Sequence, residues 1–166
     1  MSSQDKNLSD LNYELSGNPS ELKISVVHSE WNEEITHRLL SGCLKALKEM
    51  GVEEKNIDSI SVPGSFELPM GAQMLIESQD PKPNAVICLG CVIRGETSHF
   101  DFVAQSVASG VKDVALKFSI PVVFGVLTDD NKTQSLDRSG GKHGNKGEEA
   151  AVTAVRMALL QRQLRR

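Results

Sequence analysis

The residues best equipped for chemistry fall in one run, Gly90-Cys91-Val92-Ile93-Arg94-Gly95-Glu96-Thr97-Ser98-His99-Phe100-Asp101-Phe102. It begins as the tail of an apolar, β-branched strand, passes two glycines and enters residues whose apolar positions recur at helical spacing. Such a strand-to-helix turn presents unpaired N–H groups at the helix N-terminus, which attract an anion. His99, at the head of that helix, is of the residue type that most often shuttles protons, and Asp101 is near enough in sequence to orient its ring. A helix-capping histidine is the plainer alternative.

Gly90-x-x-x-x-Gly95-Glu96-Thr97 nearly spells a nucleotide P-loop, but Glu96 stands where the phosphate-binding lysine belongs. What remains is a glycine turn with a hydroxyl, adequate for a single phosphate. Cys88-Leu89-Gly90-Cys91 spells C-x-x-C, yet the apolar residues on both sides read as continuing strand, and no second Cys or His pair stands at zinc spacing. Two small, inert, buried thiols are expected there, and no metal site.

Three other segments carry candidate groups. Trp31, the only tryptophan, sits in a polar loop beside Asn32, where it serves either as a stacking platform or as a core residue. Phe66 and Glu67 pair a ring with a carboxylate, able to hold a flat heterocycle and accept from hydroxyls, unless Glu67 merely caps a helix. Asp137-Arg138 and Gly140-Gly141-Lys142-His143-Gly144-Asn145-Lys146-Gly147 gather cations among glycines before a helix, either an anion cradle or a flexible surface loop. His37 falls among polar helix neighbours and reads as a surface histidine.

These groups need a scaffold, and the hydrophobic pattern supplies one. Strands are expected at 23–28, 56–62, 85–92 and 120–127, and helices at about 33–50, from near Glu67-Leu68-Pro69, after His99, at 131–138 and from about 148 to the end. The first helix buries Ile35, Leu39, Cys43, Leu47 and Met50; the third buries Val103, Val107, Val111, Val114 and Phe118. Strand and helix alternate four times, which calls for an α/β class fold: a parallel four-stranded sheet in a three-layer α/β/α sandwich. Trp31, Gly64 to Glu67, Gly90 to His99 and Thr128 to Asp130 then share the carboxyl edge of the sheet, where such sheets bind ligands. Residues 1–22 form an N-terminal arm, or a short strand at Leu11, Tyr13 and Leu15, and residues 23–166 form one domain.

The 166-residue chain carries a net charge of -4, against a dedicated nucleic-acid binder. No apolar run reaches the roughly 18 residues of a membrane span, and the polar start lacks a signal-peptide core, so a cytoplasmic protein is expected. The odd count of cysteines, Cys43, Cys88 and Cys91, does not suit a disulfide framework.

Val62-Pro63-Gly64-Ser65-Phe66-Glu67-Leu68-Pro69, the Gly90–Asp101 run, Phe124-Gly125-Val126-Leu127-Thr128, and Arg138 with Gly144-Asn145-Lys146-Gly147 resemble, in order and spacing, the signature blocks of the lumazine synthase family. The resemblance implies a flavodoxin-like fold and the penultimate step of riboflavin synthesis. In that step a ribitylamino-pyrimidinedione condenses with 3,4-dihydroxy-2-butanone 4-phosphate, without metal or organic cofactor. It implies proton transfer by His99 and a phosphate grip by Gly95, Glu96, Thr97 and Arg138. Pyrimidine and ribityl contacts fall to Trp31, Ser65, Phe66, Glu67, Cys91, Val92, Ile93, Phe124 and Lys146, with Phe124, Lys146 and Arg138 coming from a neighbouring subunit. It further implies a homo-oligomer: a pentamer and, from the short Gly140–Gly147 connection, a shell of twelve pentamers, with riboflavin synthase as a candidate enclosed partner. A non-catalytic flavin or ribityl-compound binder on the same fold would keep Trp31 and Phe66 but not need His99, Asp101 and Arg138 together. A purely structural shell protein would need none of them.

Overall fold

A computed structural model describes residue 15 and residues 17–165. Strand and helix alternate as the apolar pattern requires: β1 (Ile24–Ser29), α1 (Glu33–Glu49), β2 (Ile57–Val62), α2 (Leu68–Ser78), β3 (Ala85–Ile93), α3 (His99–Phe118) and β4 (Val122–Asp129). The short α4 (Lys132–Arg138), a hairpin of β5 (Ser139–Gly141) and β6 (Gly144–Asn145), and α5 (Lys146–Leu164) complete the chain. The strands lie in the order β2-β1-β3-β4 and all three pairings are parallel.

Side chains of a strand point alternately to its two faces, and the core divides accordingly. Ile24, Val26, Ile87, Leu89, Cys91 and Leu127 meet Ile35, Leu39, Cys43 and Leu47 of α1 and Ala151, Ala154, Val155 and Ala158 of α5. Val27, Val86, Cys88 and Val126 meet Leu68, Ala72 and Ile76 of α2 and Val107, Val111 and Val114 of α3. Each fully buried Leu, Ile or Val contributes about 1.5–3 kcal/mol, so both helical layers are held to the sheet mainly by apolar burial. This is the three-layer α/β/α sandwich, flavodoxin-like in architecture, that the alternation predicts.

The segment expected to be a glycine loop is more ordered than its composition suggests. Gly140 and Gly144 take φ of 113° and 75°, which side-chain-bearing residues rarely adopt, and fold β5 against β6. Asn145 then caps α5, its Oδ1 accepting from the Gly147 N–H at 2.8 Å while its Nδ2 donates to the Arg38 carbonyl at 2.9 Å. A Cβ on Gly147 would collide with the Leu39 carbonyl, so the hairpin and the start of α5 are pressed against α1. Of the proposed N-terminal strand, Leu15 packs on the α1–α5 layer; Leu11 and Tyr13 lie outside the described residues. No helix among the described residues is long and apolar enough to cross a membrane.

Candidate active site

Four strand exits are tied together at the carboxyl edge. The backbone N–H of Glu30 donates to Val62 at 2.8 Å and that of Trp31 to Pro63 at 3.1 Å, joining the exits of β1 and β2. The Arg94 N–H donates to Asp129 at 3.0 Å, joining those of β3 and β4. Asn32, in the left-handed conformation that asparagine tolerates (φ 62°), sends its side-chain amide to the Cys91 carbonyl at 3.0 Å. Gly90 completes the arrangement. A Cβ there would lie 2.6 Å from Ser65 Oγ and 2.9 Å from Leu68 Cδ1, so only glycine lets the Ser65–Glu67 turn settle on β3.

The result is a cavity of about 360 Å³ lined by Trp31, Asn32, Gly64, Phe66, Glu67, Cys91, Val92, Ile93, Gly95, Thr97, His99, Phe100 and Val103. Its volume suits a small heterocyclic ligand. Trp31 and Phe66 are 73% and 58% exposed, which removes the core-tryptophan alternative and leaves two aromatic faces at the rim. Glu67 makes no side-chain cap bond to α2, so its carboxylate is available to the cavity rather than spent on the helix. Ser65 lies beneath the wall, 6% exposed, its hydroxyl 3.5 Å from both Ser29 Oγ and the Cys91 carbonyl. Glu96 sits exposed on the turn.

α3 begins at His99, as the spacing predicts, and the Thr97 hydroxyl accepts from the His99 N–H at 3.4 Å. Asp101 does not orient the imidazole. Its two oxygens accept from Arg94 at 3.1 and 3.3 Å, while Arg94 Nε reaches Asp130 at 3.0 Å and the guanidinium stacks 4.1 Å from the centre of the Phe100 ring. On a helix, residues two apart point to different sides, so the His99–Asp101 pairing expected from sequence is geometrically disfavoured. Arg94 instead staples the Gly95–Ser98 turn across the first turn of α3. Asn32, Phe100 and Val103 were not singled out for the cavity; a polar residue beside Trp31 was the only hint of the first.

The other predicted residues are placed elsewhere in the chain. Phe124 and Lys146 line a second cavity of about 430 Å³ along β4 and α5, together with Val123, Ala150, Thr153 and Met157. Lys146 Nζ is 2.7 Å from the buried Glu149 carboxylate. Arg138, at the end of α4, is directed to Asp129 at 3.8 Å and the Gln134 carbonyl at 3.2 Å and does not line the His99 cavity.

The thiols behave as buried apolar groups. Burial pushes Cys43 and Cys88 up to about 12, and Cys91 up to about 11 against the opposing hydrogen bond to Ser135. All three are free. Among the described residues no three His, Cys, Asp or Glu side chains cluster as a metal ion would require.

Comparison with known proteins matches the sequence pattern of 6,7-dimethyl-8-ribityllumazine synthases to residues 21–162. A 6,7-dimethyl-8-ribityllumazine synthase of Cytophaga hutchinsonii is 54% identical over 157 residues, 95% of this chain and 97% of the relative. Those of Flavobacterium psychrophilum and Clostridium kluyveri are 48% and 49% identical, covering 98% and 92% of this chain and 85% and 97% of theirs. With the match running from the arm to the last turns of α5, and taking in every strand exit that builds the cavity, the chain belongs to the 6,7-dimethyl-8-ribityllumazine synthase family.

Proposed function

We propose that this chain condenses 5-amino-6-(D-ribitylamino)uracil with 3,4-dihydroxy-2-butanone 4-phosphate to 6,7-dimethyl-8-ribityllumazine, releasing phosphate and water. The observation that carries the site assignment is the convergence of two exposed aromatic rings, a carboxylate, a glycine turn and an imidazole on one cavity. The pyrimidinedione stacks between Trp31 and Phe66, with Glu67 and the Cys91–Ile93 strand end contacting its polar edges and ribityl chain and Ser65 supporting that strand end from beneath. Its amine attacks the butanone carbonyl, the carbinolamine loses water to a Schiff base, phosphate is eliminated, and the second amine closes the ring with further loss of water. Each step moves a proton, and His99 is the group assigned to move it. The Gly95–Glu96–Thr97 turn at the α3 N-terminus holds the phosphate.

Arg138, Phe124 and Lys146 complete the pocket of a neighbouring subunit. That reading is supported by their separation from the His99 cavity within one chain, and by the second cavity along β4, whose outer edge is unpaired among the described strands. The arrangement is a pentameric ring, with twelve pentamers forming a shell able to enclose riboflavin synthase. Free cysteines suit a cytoplasmic location. Mixing the protein with both substrates and following lumazine fluorescence tests the activity: product forms well above the uncatalysed background, and product at the background rate refutes it.

A further inference from the structure

Asp129 closes β4 with a side chain only 9% exposed. A carboxylate so buried costs stability unless its charge is paired and its oxygens are bonded. Oδ2 accepts a 2.8 Å hydrogen bond from the Ser135 hydroxyl, and that hydroxyl accepts in turn from the Cys91 thiol at 3.4 Å. With Oδ2 fixed in this way, Oδ1 faces Arg138 Nε at 3.8 Å, an ion pair too long to be a hydrogen bond. Arg138 Nη1 donates to the Gln134 carbonyl, one turn back on α4, at 3.2 Å. Nε and Nη1 thus have partners on the protein, whereas Nη2 has none among the described residues and the side chain is 35% exposed. A guanidinium held at Nε and at Nη1 is fixed in orientation and keeps the two N–H groups of Nη2 for a phosphate.

We propose that Asp129 is a positioning residue: its carboxylate, locked by Ser135, holds the Nε side of Arg138 so that the Nη2 side is presented to the phosphate of the butanone substrate. The proposal rests on the assignment of Arg138 to that phosphate. Two effects of Asp129 oppose each other, since its negative charge partly offsets the cation while its geometry aims it. A fixed fork loses less freedom on binding than a swinging one, so aiming outweighs neutralisation.

The test is steady-state kinetics of the full assembled protein with each substrate varied in turn, together with inhibition by inorganic phosphate and a thermal melt. Asp129→Asn keeps the shape and an acceptor for Ser135 but removes the charge that holds Arg138. The KM for the butanone phosphate is expected to rise about tenfold and phosphate inhibition to weaken in parallel, with the pyrimidinedione KM unchanged within about twofold. Ser135→Ala is expected to shift the same constants about threefold, and it carries the test if the Asn variant does not fold. Placed on an Arg138→Ala background, Asp129→Asn adds nothing further.

An unchanged or lowered butanone phosphate KM in the variants, with Arg138→Ala strongly impaired, overturns the role of Asp129 alone. Additive effects in the double variant overturn it too. Arg138→Ala with unchanged butanone phosphate KM and phosphate inhibition overturns the assignment of Arg138, and the role of Asp129 with it.

Discussion

The cavity at His99 and the cavity at Phe124 are similar in size, about 360 and about 430 Å³, but they are made of different parts of the fold. The first is built almost wholly from strand exits and the first turn of α3, where backbone donors, an imidazole and a carboxylate converge. The second runs along the edge strand β4 and one side of α5, and offers an aromatic ring, aliphatic groups and the Lys146–Glu149 ion pair but no histidine. On the proposed reading, the difference separates the imidazole that would move protons from a wall that would shape and close a neighbour's pocket. Arg138, the proposed phosphate ligand, lines neither cavity.

That contrast can be broken by substitution. The largest effects belong to the chemical half and the phosphate fork. His99→Ala is expected to lower kcat about 100-fold by removing general acid–base catalysis. Arg138→Ala is expected to lower kcat/KM for the butanone phosphate by about 10–100-fold, the worth of one charge-assisted hydrogen bond to an ion. Stopped-flow absorbance of lumazine formation reads both, and a His99→Ala enzyme with an unaltered rate would contradict its assigned role. The wall has less at stake: Phe124→Ala is expected to raise the pyrimidinedione KM about threefold to tenfold with kcat little changed, as loss of one aromatic packing partner would. A fall in kcat alone would instead move Phe124 from the wall to the chemistry.

The smallest effect lies outside both cavities. His28 in β1 has a buried Nδ1 without a hydrogen-bond partner among the described residues, and its ring meets the His37 ring edge-on at 6.3 Å. Burial first, and His37 second, lower its pKa below the ordinary 6.5, against Glu30 and the Ser29 backbone bond, which raise it. As pH falls through 6.5 the unfolded chain takes a proton that the folded chain resists. Stability is therefore full above that pH and declines below it toward the folded value. His28→Gln should flatten this part of the pH dependence of the melting temperature while leaving the neutral activity intact. A variant that retains the full acid slope would assign it to other groups.

The layers and the strand-exit edge were legible because apolar periodicity reports which residues are buried, and alternation of strand and helix leaves few ways to bury them. Pairing register and strand order were not, since they depend on contacts remote in sequence. The Asn145–Arg38 bond, spanning 107 residues, is one such contact and explains why residues 139–147 read as a loose loop. β5 and β6 are also too short to leave an alternating pattern. Thr128 and Asp129 read as loop because polar residues end the apolar run, yet β4 continues to pair Asp129 with Ile93. Within the site, aromatic, glycine and imidazole positions were readable by type and spacing. The partner of Asp101 was not, because Arg94 reaches it across a turn whose path the sequence does not state.

The central claim is that one chain supplies the proton carrier of one site and the phosphate fork of another, and subunit mixing tests it directly. His99→Ala and Arg138→Ala chains, each nearly inactive alone, are co-expressed in equal amounts and the mixed assembly is purified and assayed. If sites are shared around a ring, a site is intact whenever an Arg138→Ala chain meets the correct face of a His99→Ala neighbour, and about a quarter of wild-type activity returns. If His99 and Arg138 serve the same site from the same chain, the mixture stays as inactive as its parents, and the account is wrong.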